Sequence, residues 1–175
     1  TPLQLCLMTA QIANGGYKIK PKIIVNDDPL SLENAKTAME LQSLQTPNTK
    51  LFNDPKNIKI VQEAMFSSTN EQFGTSYRSR IEDTKYQFAG KTGTAQVKRI
   101  SKRERELDLK LEQIPYKDRD HALYVAYGPY KNPRYALSII VEHGGSGSKA
   151  AAPMAKELFK LIIDRDELRD KQSNF

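Results

Sequence analysis

Two β-type runs, Ala122–Tyr127 and Tyr135–Glu142, flank the segment Gly128-Pro129-Tyr130-Lys131-Asn132-Pro133, and this arrangement narrows the fold more than any other part of the chain. Runs of this length and composition make strands, and a short turn-rich connection brings the second back antiparallel to the first. Ala122–Tyr127 is also the longest unbroken apolar stretch. It falls far short of the roughly 20 residues a membrane-spanning helix needs. A lone hairpin is marginal in water, so other elements must cover it.

Helix signals supply the cover. Thr1-Pro2-Leu3-Gln4 places a capping threonine, a first-turn proline and a capping-box glutamine in order. Leu3, Leu7, Ala10 and Ala13 lie on one face, and Leu5, Met8 and Ile12 on the other. Such an all-round apolar helix is predicted to be buried, and Asn14-Gly15-Gly16 ends it. Asp54-Pro55 opens a second helix to about Ser68, with Ile58, Val61 and Met65 in register. The last helix runs from about Ala150 to Arg165, with Pro153 in its first turn and Met154, Leu158, Leu161 and Ile162 on one face. The polar tail, 165–175, is predicted to fray.

The intervening segments are less regular. Tyr17–Val25 is β-rich but interrupted by Pro21, which predicts an edge strand or extended arm. Residues 31–45 have helical spacing, Thr69–Tyr86 is predicted as loop, and 87–97 as strand. Residues 98–120 carry eight basic and six acidic side chains and are predicted as a solvated loop with a partial helix near Glu104–Gln113. No β-α-β alternation is present. The order of elements predicts an α+β fold, an antiparallel β-sheet packed with α-helices.

At 175 residues the chain has about one domain's length. Lys and Arg total 27 against 21 Asp and Glu, a net +6, but the signs alternate along most of the chain. A nucleic-acid binder concentrates its basic charge, so no nucleic-acid partner is expected. One cysteine, Cys6, excludes an internal disulfide and a Cys-rich zinc module, and on its apolar helix it reads as a small buried hydrophobe. The two histidines, His121 and His143, lack further ligands around them and read as hydrogen-bonded structural residues. No metal and no cofactor are expected.

The sharpest chemical feature is Gly90-Lys91-Thr92-Gly93-Thr94. It is not a phosphate loop, which needs a glycine five residues before its Gly-Lys, where this chain has Lys85. Lys-Thr-Gly on a strand is instead a signature element of β-lactam-recognising serine acyl transferases. Lys91 brings positive charge to a site that must hold a carboxylate. Thr92 and Thr94, two apart on a strand, direct their hydroxyls to one side. Gly93 removes a side chain where a ligand backbone would lie, and the Thr94 amide can act as an oxyanion donor.

The chain resembles the C-terminal part of the transpeptidase domain of class B penicillin-binding proteins, most closely the penicillin-binding protein 2 type. The resemblance runs from Thr1 to about Ile163. Its blocks are Thr1-Pro2-Leu3-Gln4-Leu5, Ala13-Asn14-Gly15-Gly16, Gly74-Thr75-Ser76, Ala89 through Val97, Asp120-His121-Ala122-Leu123, Gly128-Pro129-Tyr130, and Val141 through Gly147. It implies a serine acyl transferase that cross-links peptidoglycan stem peptides ending in D-Ala-D-Ala, and that β-lactam antibiotics trap. It implies that Lys91, Thr92 and Thr94 hold the substrate carboxylate, with the Thr94 amide as half of an oxyanion hole. It further implies work on the periplasmic face of a bacterial inner membrane, beside a glycosyltransferase and elongation-complex proteins. A non-catalytic penicillin-binding sensor of the same fold is the alternative.

The family's Ser-x-x-Lys and Ser-x-Asn motifs should lie well upstream of Lys-Thr-Gly. Ser146-Gly147-Ser148-Lys149 follows it instead, and Ser68-Thr69-Asn70 lies too close before it. The expectation is therefore a C-terminal portion of a transpeptidase domain, 1–175, whose nucleophile and membrane anchor lie elsewhere. Such a chain should be inactive alone and should self-associate through its uncovered apolar face.

Overall fold

A computed structural model describes residues 1–21, 49–99, 106–107 and 109–172. The expected helix at 31–45 lies outside them, as do 104–105 and 108 of the expected partial helix at 104–113; the described remainder of that segment holds a 3-10 turn at Leu111–Gln113.

Three strands, β1 (Ala89–Ala95), β2 (His121–Gly128) and β3 (Tyr135–Val141), form one sheet in the order β1-β2-β3, antiparallel throughout. The fold is α+β, as the hairpin pattern predicts. Apolar β2 is central: Val125 and Tyr127 face one side of the sheet, Ala122, Tyr124 and Ala126 the other. Helix α1 (Pro2–Ala13) and helix α2 (Pro55–Asn70) cover the first face, and α3 (Ala152–Gln172) the second.

Helix α1 begins with the predicted capping box: the Thr1 hydroxyl accepts from the Gln4 N–H, and Gln4 Oε1 accepts from the Thr1 amine at 2.8 Å. It ends at Asn14, and Gly15 and Gly16 follow with φ of 88° and 90°. Burial is less than its apolar sequence predicts. Only Thr9 is fully buried, while Leu3 and Met8 are 53% and 44% exposed. The helix rests on β3, where the Cys6 thiol donates to the Ala136 carbonyl at 3.3 Å, and no described element covers its far side. Cys6 is half-buried, which pushes its pKa up. Gln62 of α2 donates to the Ile12 carbonyl at 2.7 Å and fastens the two helices. After Gly16, Tyr17 makes an isolated bridge with Lys50; no strand forms within the described part of 17–25.

Phe88, Tyr124 and Phe159 centre the opposite core, with the Phe88 and Phe159 rings stacked 4.9 Å apart. A tight π-turn, Gly147–Ala151, leads into α3 with Pro153 in its first turn, where no N–H is missed.

Helix α3 continues to Gln172, past the predicted end at Arg165. Contacts distant in sequence hold the extension. Lys85 Nζ lies 3.4 Å from Asp164 and 2.8 Å from Glu167, the Tyr86 hydroxyl donates to Asp164, and Arg134 pairs with Asp166 at 3.0 Å. The Tyr86 hydroxyl, aided by Lys85, holds the Asp164 carboxyl below its usual pKa. A carboxylate depressed by folding stabilises the fold above its unfolded pKa, and that stabilisation is lost as pH falls through the folded value. Acidification through the carboxylate range should therefore lower the amide-exchange protection factors of the α3 turn around Asp164 before those of β2, and Asp164→Asn should flatten the difference.

Candidate functional site

Strand β1 carries Lys91-Thr92-Gly93-Thr94 along an edge of the sheet, paired with β2 on one side only among the described strands. In an antiparallel strand the N–H and C=O of one residue point to the same edge, and successive residues alternate. Four contacts decide which residues face outward. Gln87 accepts from the Tyr130 N–H at 2.7 Å, and Val97 donates to Asp120 at 3.2 Å, so odd-numbered positions face β2. The Phe88 carbonyl accepts from the Asn70 amide at 2.9 Å, and the Thr92 carbonyl from Lys91 Nζ at 2.8 Å, so even-numbered positions face the open edge. Thr94 shares that parity, and its N–H points out of the sheet.

Side chains alternate between faces. Thr92 stands opposite Tyr124 and Thr94 opposite Ala122, both on the α3 face, while Lys91 stands opposite Val125 on the α1/α2 face. Lys91 thus leaves the strand on the face away from the threonines and comes to the open edge only because its stem is long enough to curl back. The result is an exposed edge offering an ammonium, two hydroxyls and a backbone N–H: three kinds of donor suited to an anion and an adjoining carbonyl.

Two close approaches hold this edge in place. The Tyr124 hydroxyl sits against Gly90, where a Cβ would overlap it, and is bonded to Thr69 at 2.9 Å and Ser76 at 3.1 Å. Burial pushes the Tyr124 pKa up. Below Gly93, Gly147 lies on the sheet backbone; a Cβ there would be 2.7 Å from the Gly93 carbonyl oxygen and closer still to that of Leu123. Thr75, from the loop after α2, brings its hydroxyl 3.3 Å from that of Thr92 and 3.2 Å from Ser68. Sequence reasoning assigned no role to Ser68 or Thr75 beside Thr92. Only the block Gly74-Thr75-Ser76 marked the place.

The serines and the asparagine of the two look-alike motifs have partners of their own. Asn70 is spent on the Phe66 and Phe88 carbonyls, and Ser68 on Thr75. Ser146 is extended and caps the π-turn that follows, and its hydroxyl meets that of Ser148 at 3.0 Å. His121 Nδ1 accepts from the His143 N–H at 3.0 Å, and His143 Nδ1 donates to the Arg119 carbonyl at 3.0 Å. Both histidines brace the strand ends. No group of three or more His, Cys, Asp or Glu among the described residues could hold a metal.

An open apolar groove of about 660 Å³ runs between α1 and α2 and ends at Lys91 and Thr75. Met8, Ile12, Ile60, Val61 and Met65 line it, and Phe73, 97% exposed, stands at its rim.

Residues 1–160 match the penicillin binding protein transpeptidase domain. The chain is 32% identical over 166 residues to the peptidoglycan D,D-transpeptidase MrdA of Salmonella typhimurium, covering 94% of this chain and 25% of that protein. It is 35% identical over 167 residues to MrdA of Acinetobacter baumannii, covering 91% and 22%. Penicillin-binding protein 2 of Helicobacter pylori, solved in complex with MreC, superposes with a TM-score of 0.64 at 30% identity, over 92% of this chain and 25% of that one. Penicillin-binding protein 2 of Pseudomonas aeruginosa, in complex with WCK 5153, gives 0.62 at 30% identity, over 92% and 30%. The chain therefore spans about a quarter of the length of the curated relatives it matches.

Because Gly147 bears on strand backbone, Gly147→Ala must displace β1 or the π-turn. It should cost about 1–3 kcal/mol in urea titrations, the usual range for overpacking, and speed amide exchange at 93–95. Unchanged stability and exchange would show that the contact is slack.

Proposed function

The chain belongs to the penicillin-binding protein transpeptidase domain family, and from that we propose that residues 1–175 are the C-terminal portion of the transpeptidase domain of a class B peptidoglycan D,D-transpeptidase of the penicillin-binding protein 2 type. The reaction is acyl transfer. A serine oxygen attacks the carbonyl carbon of the penultimate D-alanine of a stem peptide, the amide to the terminal D-alanine breaks, and the departing amine takes a proton. An amine of a neighbouring stem then attacks the acyl ester, forming the cross-link and freeing the serine.

In this reading β1 is one wall of the cleft. Lys91 and the hydroxyls of Thr92 and Thr94 hold the carboxylate of the terminal D-alanine or of a β-lactam. Gly93 leaves room for the ligand backbone, and the Thr94 N–H donates to the oxyanion as it forms. Half an oxyanion hole is worth a great deal: losing one such donor typically slows catalysis about 10²–10³-fold. The observation that carries the reading is the Thr94 N–H on the open edge of a strand whose two threonines share a face. The serine nucleophile belongs to the part of the protein upstream of this chain, which also covers the groove ending at Lys91. The relatives' fourfold greater length and the groove's apolar lining support that placement. The same reading puts the whole protein on the periplasmic face of the inner membrane with its anchor outside this chain, in cell-wall elongation beside a glycosyltransferase. No helix among the described residues is long and apolar enough to cross a membrane.

Fluorescent penicillin followed by denaturing electrophoresis tests the assignment. The full-length protein should label, and Thr92→Val should slow labelling about tenfold, the equivalent of one charge-assisted hydrogen bond. The 175-residue chain alone should not label; a covalent band on it would place a nucleophile within this sequence and overturn the proposal.

A further inference from the structure

Thr92 does not stand alone at the open edge. Ser68 ends the α2 side of a run of three hydroxyls, Ser68–Thr75–Thr92, with oxygens 3.2 Å and then 3.3 Å apart. We infer that Thr75 is a positioning residue: its hydroxyl, backed by Ser68, fixes the direction in which Thr92 offers its proton to the substrate carboxylate. The inference rests on the carboxylate-binding role proposed above for Thr92.

The count of protons gives the reason. A hydroxyl has one proton to donate and can accept two bonds, whereas an ionised carboxylate only accepts. Thr92 must therefore spend its only proton on the anion and can touch Thr75 only as an acceptor. Thr75 then spends its proton on Thr92 and can accept from Ser68. Once an anion sits at Thr92, the run has one consistent polarity, Ser68 to Thr75 to Thr92 to carboxylate, and each bond strengthens the next. Without Thr75, the Thr92 hydroxyl is free to turn to a nearby backbone carbonyl, as threonine hydroxyls commonly do.

Thr75 is held firmly enough to do this. The Gly74 N–H donates to the Glu71 carbonyl at 2.8 Å, and the Ser76 N–H to the Ser68 carbonyl at 3.0 Å, clamping the loop to the end of α2. Next to it the Ser76 hydroxyl is buried in the cluster with Thr69 and Tyr124. Thr75 itself is exposed, so replacing its hydroxyl by a methyl group should leave folding nearly unchanged.

The test uses the full-length protein and compares acylation by benzylpenicillin with acylation by its methyl ester, which lacks the anionic oxygen pair. Wild type should prefer the acid. Thr75→Val should slow the acid about tenfold, leave the ester unchanged and unfold at the wild-type midpoint, while Thr75→Ser should restore the acid rate. Ser68→Ala should lower the acid rate in the same direction by a smaller factor. Equal slowing with both ligands, an unchanged acid rate in Thr75→Val, or no rescue by serine would each overturn the positioning role. If wild type and Thr92→Val both fail to distinguish acid from ester, the carboxylate role of Thr92 falls first, and the inference with it.

Discussion

Among the described residues strand β1 is hydrogen-bonded to β2 along one edge and to no strand along the other, and the rest of the site depends on that asymmetry. Pairing with β2 fixes the register, which sends the odd-numbered backbone groups inward and leaves those of Thr92 and Thr94 outward. A shift of one residue would exchange the two sets and would also carry Thr92 and Thr94 to the face now occupied by Lys91. Register is secured from behind by apolar β2, which is buried on both faces, and by the approach of Gly147 to the strand backbone. An open edge is ordinarily a liability, since it invites pairing with any extended chain. Here the exposed Lys91 and the cover given by Asn70 limit that risk, and the same unpaired groups become available to a peptide ligand.

Much of this is local chemistry and could be read directly. The hairpin follows from the apolar run Ala122–Tyr127 and the Gly-Pro turn after it; α1 and α2 follow from Thr1-Pro2 and Asp54-Pro55. The anion-binding character of Lys91-Thr92-Gly93-Thr94 is legible because charge, hydroxyls and the missing Cβ lie within one strand. What escaped the sequence depends on distant partners. Helix α3 outruns its own propensity because Lys85, 79 residues before Asp164, reaches the last turns. Helix α1 shows a limit of a different kind: an all-round apolar helix predicts burial, but among the described residues the covering surface is present on one side only. Ser68 and Thr75 acquire their place beside Thr92 only when the loop after α2 folds back over the strand.

The histidines and the Gly-rich turn have a supporting role. His121 and His143 exchange bonds with backbone at the far end of β2, and Asp120 ties Val97 and Gly145 to the same point. These contacts gather the ends of β1, β2 and the Gly144–Ser148 turn, so the edge strand is braced where sheet pairing stops. Charge is distributed in the same spirit: Lys98 meets Asp118 at 3.2 Å, whereas among the described residues Lys91 is directed to a carbonyl of its own strand. A cation whose contact is a neutral carbonyl can turn to an arriving carboxylate at little cost.

The central claim is that the open edge of β1 is the anion- and oxyanion-binding wall of an acyl-transfer cleft. A crystal structure of the full-length protein acylated by benzylpenicillin tests it most directly. The acyl carbonyl oxygen should lie within hydrogen-bonding distance of the Thr94 N–H, with the ligand carboxylate on the Thr92 and Thr94 hydroxyls. An adduct whose carboxylate and carbonyl both lie away from β1 would contradict the account.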